Sequence, residues 1–281
     1  MSLTTAAFDL AYWINERYAM KLRKETPGFQ LLPFGYSANS AMGTVRYCNV
    51  HREDDKVTKW IRQHWNRADD PVWKFVLGRM VNLPETLEGM LYTPRLQDMK
   101  DQMISLRSMG EKVWTAAYTI STCGRQMDKI DYVFDHVIAK VAYEEDSYWP
   151  VYTSCHDTWK DLQAIDGLGS FLAAQVVADM KNTPGHPLAA ASDFWTFSAP
   201  GPGSLRGLSW FFYDGPDGVT AATYAHHLKR CREEVDPLVL SYVPRTSDQD
   251  FQNCLCEFSK YMKVKTLNGR IRNRYIARSQ S

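Results

Sequence analysis

The chain has 281 residues and a mass of 32.3 kDa, with 33 Lys and Arg against 32 Asp and Glu for a net charge of +1. With 44% hydrophobic and 23% charged residues it can bury a sizeable core, which excludes intrinsic disorder, collagen-like repeats and a disulfide-dense miniprotein. Aromatic residues are in surplus, at 9 Trp, 15 Tyr and 12 Phe, as expected of a helical protein with aromatic-lined grooves or a stacking surface.

In chain order, Asp9, Glu16 and Arg17 interrupt the N-terminal stretch that could imitate a leader core, so no secretory leader is expected. No run reaches 18 apolar residues, and no membrane partner is expected. Six cysteines, at 48, 123, 155, 231, 254 and 256, are scattered rather than set at framework spacings, which fits reduced thiols in a cytoplasmic protein.

Hydrophobic periodicity is helical almost throughout. Val57, Trp60, Ile61, His64 and Trp65 follow the i, i+3, i+4 pattern, and Val72, Phe75, Val76 and Met80 restart it after Pro71. Ile130, Val133, Phe134, Val137 and Val141 repeat it, as do Phe251, Cys254, Leu255, Phe258 and Met262. No sustained period-2 alternation occurs, so the fold class is all-α with long loops. Breaks fall at 25–44, 146–153, 182–218 and 236–247, the third a 37-residue Gly/Pro/aromatic segment expected to be a binding loop. This predicts a single helical domain over 1–281, divisible into lobes at about 1–145 and 146–258, with a basic tail over 259–281.

That tail carries seven cations, among them Lys260, Arg270 and Arg272, and no acid, which leaves the rest of the chain at −6. A basic tail interleaved with Tyr261 and Tyr275 suits contact with a phosphate backbone; a solvated terminus has the same composition.

Chemistry-bearing residues form a few blocks. In Leu162-Gln-Ala-Ile-Asp-Gly-Leu-Gly-Ser170, Gly167 and Gly169 can adopt positive φ between two helices, and Ser170 opens the second. The backbone amides at such a helix-hairpin-helix turn suit a nucleic-acid phosphate, although hairpins also join helices with no ligand. Asp193 follows 24 residues after Gly169, beyond a Pro/Gly loop, and sits beside Phe194 and Trp195; it can act as a general base or cap the next helix. Upstream, Arg46-Tyr-Cys-Asn-Val-His-Arg-Glu-Asp-Asp-Lys56 carries more charge than one helix cap needs. Arg46 and Arg52 suit a phosphorylated group, Asp54 and Asp55 a Mg²⁺ ion, and Glu53 with its neighbours an amine. No cofactor is fixed by these residues. Three further blocks are Ser121-Thr-Cys-Gly-Arg-Gln-Met-Asp-Lys129, Pro200-Gly-Pro-Gly-Ser-Leu-Arg-Gly207 and Gln252-Asn-Cys-Leu-Cys-Glu-Phe258. They add Arg125, Lys129, Arg206 and Glu257, beside Cys48 and Asn49, as candidates; Glu257 and Lys260 equally suit a surface ion pair.

Read in chain order, the five blocks resemble the alpha-glutamyl/putrescinyl thymine pyrophosphorylases of bacteriophages, amino acid:DNA transferases, and the hairpin with Asp193 resembles helix-hairpin-helix DNA glycosylases. The resemblance spans about residues 8 to 275 and implies a helical, glycosylase-like fold. It implies an enzyme of the infected host's cytoplasm that displaces (pyro)phosphate from an activated 5-hydroxymethyluracil in double-stranded DNA with an amine, commonly an amino acid, downstream of a 5-hydroxymethyluracil DNA kinase. On that basis Asp193, then Asp54 and Glu53, would supply the base, with Arg46, Arg52, Arg125 and Arg206 on the phosphates. Trp195 and Phe194 would stack a flipped base, and Gly167, Gly169, Ser170, Lys260, Arg270 and Arg272 would hold DNA. Cys48 could add to C6 of the pyrimidine, although a buried core cysteine is the favoured reading. The alternatives are a monofunctional DNA N-glycosylase using Asp193, or a non-catalytic helical DNA-binding module partnering the kinase. The chain has no P-loop motif and is not expected to be the kinase itself.

Overall fold

The structure is a computed structural model that describes residues 3–26, 42, 45–67, 69–115, 120–148 and 153–267. Its elements are helices, with no strand among the described residues. The chain divides into two compact units, each with its own core. The first takes Met1–Arg52 and Pro200–Ser281, and the second takes Glu53–Ala199.

The first unit is built on α1 (Leu3–Glu25), α10 (Pro202–Tyr213), α11 (Tyr224–Val235) and α12 (Asp248–Leu267). On α1 the buried stripe is Ala6, Ala7, Leu10, Ala11, Trp13, Ile14 and Tyr18, spaced to line one helix face. It packs with Leu208, Phe211, Leu228, Phe251, Leu255 and Phe258 into a single hydrophobic cluster. The closest packing is between α10 and α12. A Cβ added at Gly203 would lie 2.8 Å from Cys256 Sγ, and one at Gly207 would overlap the Leu255 carbonyl oxygen, so only glycine allows this approach. Helix α10 lies inside the 182–218 stretch expected to be one long loop. Pro202 stands in the first turn, and Ser204 Oγ accepts the Gly201 N–H (3.1 Å) and donates to its carbonyl (3.0 Å).

The second unit contains α2 (Lys56–His64), α3 (Val72–Val81), α4 (Pro84–Met90), α5 (Leu96–Ser108), α6 (Lys129–Asp131), α7 (Ala139–Tyr148), α8 (Cys155–Gln163) and α9 (Gly169–Lys181). A π-helical stretch, Tyr132–Ile138, joins α6 to α7 and buries Tyr132, Val133, Phe134, Val137 and Ile138. Helices α3 and α9 form the centre, α9 being buried without interruption from Leu172 to Lys181. Asp55 starts α2 by accepting the backbone N–H groups of Val57 and Thr58, both at 3.1 Å. Beneath it Arg79, fully buried, donates to both carboxylate oxygens of Asp179, to Thr58 and to Asp55 (2.9 Å).

Candidate nucleic-acid interface

Helices α8 and α9 are joined by a tight hairpin. Leu168 N–H donates to the Ile165 carbonyl (3.1 Å), and the side chains of Ile165 and Leu168 are buried, anchoring the turn to the core. Gly167 has φ +98° and Gly169 φ +52°, a region that favours glycine. The two differ in kind: a Cβ at Gly167 would lie 2.6 Å from Tyr132 Oη, whereas one at Gly169 would meet open space. Trp159 Nε1 donates to the Ser170 carbonyl at 3.0 Å and fixes the start of α9 against α8. The exposed rim consists of Asp166, Gly169 and Phe171, the last 47% exposed. Arg125 pairs with Asp166 at 2.6 Å and lies over the Tyr132 ring. That hydrogen bond holds the Asp166 carboxyl below its usual pKa.

Asp193 lies elsewhere, at the opposite end of α8. Its Oδ1 accepts the Cys155 N–H (2.8 Å), and its Oδ2 accepts the His156 N–H (2.9 Å) and the Ser154 hydroxyl (3.2 Å). The carboxylate therefore closes the first turn of α8, an earlier helix than the one it was expected to cap. Burial pushes its pKa up, but these hydrogen bonds outweigh burial and hold it low. Phe194 meets Trp195 edge to face, and Trp195 is exposed. Behind them Lys181, 2% exposed, donates to the Phe194 carbonyl (2.8 Å) and lies over its ring. Sequence reasoning missed Lys181, whose one signal is a charge at the end of an apolar helix.

The charged 46–56 block crosses the boundary between the two units, which falls after Arg52. Arg62 pairs with Glu53 at 2.9 Å, Lys59 with Asp54 at 3.3 Å, and Arg79 with Asp55. Arg52 is buried in the first unit, where its backbone N–H donates to Asp250 at 2.7 Å. Arg46 and Cys48 are exposed on an extended stretch held by Arg17, which donates to the Cys48 carbonyl (2.9 Å), the Tyr47 carbonyl (3.3 Å) and Asn49 Oδ1 (2.7 Å). The Cys48 N–H donates to Glu257 Oε2 (3.3 Å), and Lys260 donates to Glu257 Oε1 (2.6 Å). Burial first, and then Glu257, pushes the Cys256 thiol up to about 12, so it stays protonated at neutral pH. The structure thus brings Cys48, Asn49, Glu257 and Lys260 together in the first unit and holds Gly167, Gly169, Ser170 and Arg125 at the hairpin of the second. Lys129 is exposed at the start of α6. Arg270 and Arg272 lie outside the described residues. Among the described residues no group of three or more His, Cys, Asp or Glu gathers as a metal site, and no helix is long and apolar enough to cross a membrane.

Residues 4–270 match the family model described as 5-hmdU DNA kinase, helical domain. The chain belongs to this family. No curated protein and no solved structure matches it. The match overturns the resemblance to the alpha-glutamyl/putrescinyl thymine pyrophosphorylases and, with it, the reading as an amine-transferring enzyme. The family match runs continuously over residues 4–270, whereas the resemblance rested on five short ordered blocks within nearly the same span. The family is that of a helical domain associated with a DNA kinase, and the alternative of a helical module that accompanies such a kinase agrees better with it.

Proposed function

We propose that this chain is the DNA-holding helical domain of a 5-hydroxymethyluracil DNA kinase system, serving phage thymine hypermodification in the cytoplasm of the infected bacterium. The family match over residues 4–270 carries the reading. Residues 1–281 carry no G-x-x-x-x-G-K-[ST] motif, so in this reading phosphoryl transfer from a nucleotide belongs to the kinase part of the system and not to this helical domain. What this domain supplies is double-stranded DNA binding.

In this reading α8, the hairpin and α9 act as a helix-hairpin-helix. A left-handed Gly169 at the helix start aims backbone N–H groups of the first turn outward, where a DNA phosphate can accept them. Arg125, paired with Asp166 at the exposed rim, exchanges that carboxylate for a phosphate oxygen. Exposed Phe171 lies beside the same turn. The cations at 270–278 extend the interface along the backbone.

Gly169→Asp sets a negative charge where the phosphate would sit and meets open space, and Gly169→Asn, which shares the backbone strain of a side chain at φ +52° without the charge, is its control. Titrated against a labelled duplex containing 5-hydroxymethyluracil, Gly169→Asp is expected to bind about tenfold more weakly than Gly169→Asn, as the loss of a charge-assisted hydrogen bond predicts, while the two variants share the same lowered melting temperature. Equal affinity for the two variants would remove the hairpin from the interface. A wild-type protein that does not bind duplex DNA would overturn the reading altogether.

A further inference from the structure

We propose that Arg46, Arg206 and Lys260 form an anion-binding centre in the first unit that takes a phosphoryl group. The expectation that DNA carries this group rests on the DNA-holding reading; the centre itself rests on geometry.

Three stretches distant in sequence converge here: the extended segment 46–49, the first half of α10 and the middle of α12. The close approaches at Gly203 and Gly207 bring α10 against α12 at Leu255 and Cys256. The 46–49 segment is strapped from two sides. Arg17 holds the Cys48 and Tyr47 carbonyls, and Asn253 Nδ2 donates to the Asn49 carbonyl at 2.9 Å. Between them sits the carboxylate of Glu257, a residue only 3% exposed. Burying a carboxylate is costly unless it is paired, and Glu257 is paired on one oxygen by the Cys48 N–H and on the other by Lys260.

The arrangement fixes the Lys260 ammonium at the rim. Burial lowers the pKa of Lys260, but Glu257 more than offsets it, so the group stays charged. One of its three donors is taken by Glu257, leaving donors for a ligand. Arg206, exposed on α10, lies within electrostatic reach of Cys256, as do Lys260 and Cys48. Arg46 and Cys48 are two residues apart on extended backbone, so they share its outward face. Neither Arg46 nor Arg206 has an ion-pair partner among the described residues, whereas Arg62, Arg79, Arg95, Arg107, Arg125 and Arg232 all face carboxylates. Lys260 pairs with the one buried carboxylate, and Arg206 and Arg46 add two more cations on the stretches that meet it, an excess of positive charge. A guanidinium fork pairs with carboxylate and phosphate alike, but two forks and an ammonium supply more cationic donors than the two oxygens of one carboxylate use, which suits the three oxygens and higher charge of a phosphoryl group.

Two sources share that chemistry: the diester of the DNA backbone and a phosphate monoester on a modified base. The test compares the full chain with the Arg46→Gln/Arg206→Gln double variant, both substitutions lying at exposed positions. Each is titrated with duplexes carrying 5-hydroxymethyluracil or 5-phosphomethyluracil, and by calorimetry with inorganic phosphate. The centre predicts that wild type takes up inorganic phosphate and the variant does not. If the monoester is the ligand, wild type prefers the phosphomethyl duplex by about tenfold, the worth of a bidentate arginine pairing, and the variant loses the preference. If the backbone is the ligand, the variant loses affinity for both duplexes alike. Unchanged phosphate uptake and unchanged affinity for both duplexes would overturn the proposal. Failure of wild type to bind any duplex would overturn the DNA-holding reading while phosphate uptake still decided the centre.

Discussion

Arg79 and Asp179 are both fully buried and lie 100 residues apart, with Thr58 and Asp55 completing the network. No local pattern announces such a pair: each residue reads in the sequence as an ordinary charged position in a helix. Because Arg79 cannot reach water, removing its partner leaves a buried charge exposed to the full desolvation penalty. Asp179→Ala is therefore expected to cost about 3–5 kcal/mol in urea unfolding. Asp55→Ala should cost less, about 1–2 kcal/mol, the loss of a cap, since Asp55 is partly exposed. A second residue-scale effect concerns His186, whose pKa burial lowers from 6.5 to about 4 despite nearby Asp70. Its Nδ1 accepts the Leu188 N–H at 3.1 Å, as a neutral ring must. The unfolded chain binds a proton there that the fold refuses, so stability is full above pH 6.5 and falls as pH drops towards about 4. Melting temperatures across that window should show the decline, and His186→Gln should flatten it. Asp193, whose pKa is held low, adds stability that is likewise lost in acid, but only below the ordinary carboxylate range.

At the scale of elements, the strongly periodic stretches are legible in the sequence. The helices over Lys56–His64, Val72–Val81 and Asp248–Leu267 stand where the spacing of Trp60, Phe75 and Phe258 places them. The 182–218 stretch is not legible, because its Gly and Pro content suggests a loop although Pro202–Tyr213 is a helix. Pro202 at the first turn, with Leu205, Leu208 and Phe212 following at helical spacing, is the available signal. The glycines inside that helix read as flexibility but serve close packing against α12. Gly207→Ala drives a methyl into the Leu255 carbonyl, and is expected to lower stability by about 1–3 kcal/mol in the same unfolding assay. The hairpin is legible from Gly167 and Gly169, whereas the destination of the Asp193 carboxylate is not. An Asp after a Pro/Gly loop suits catalysis and capping alike, and only the position of Cys155 and His156 separates them.

For the whole molecule, a net charge of +1 conceals seven cations after residue 258. Truncation after Leu267 leaves the end of α12 intact and removes Arg270, Arg272, Arg274 and Arg278. If these meet phosphates, the slope of log affinity against log salt should flatten by about 0.9 for each phosphate that the missing arginines neutralise, and an unchanged slope would leave them outside the interface. The block order along the sequence is legible, but short blocks do not separate a transferase from a helical domain accompanying a kinase. The match over residues 4–270 does so. Whether this domain grips DNA through the α8–α9 hairpin is decided by amide hydrogen exchange with and without a saturating 5-hydroxymethyluracil duplex. Amides from Gly167 to Phe171 are expected to gain protection in the complex; saturated binding with unchanged exchange across those residues would contradict a grip at the hairpin.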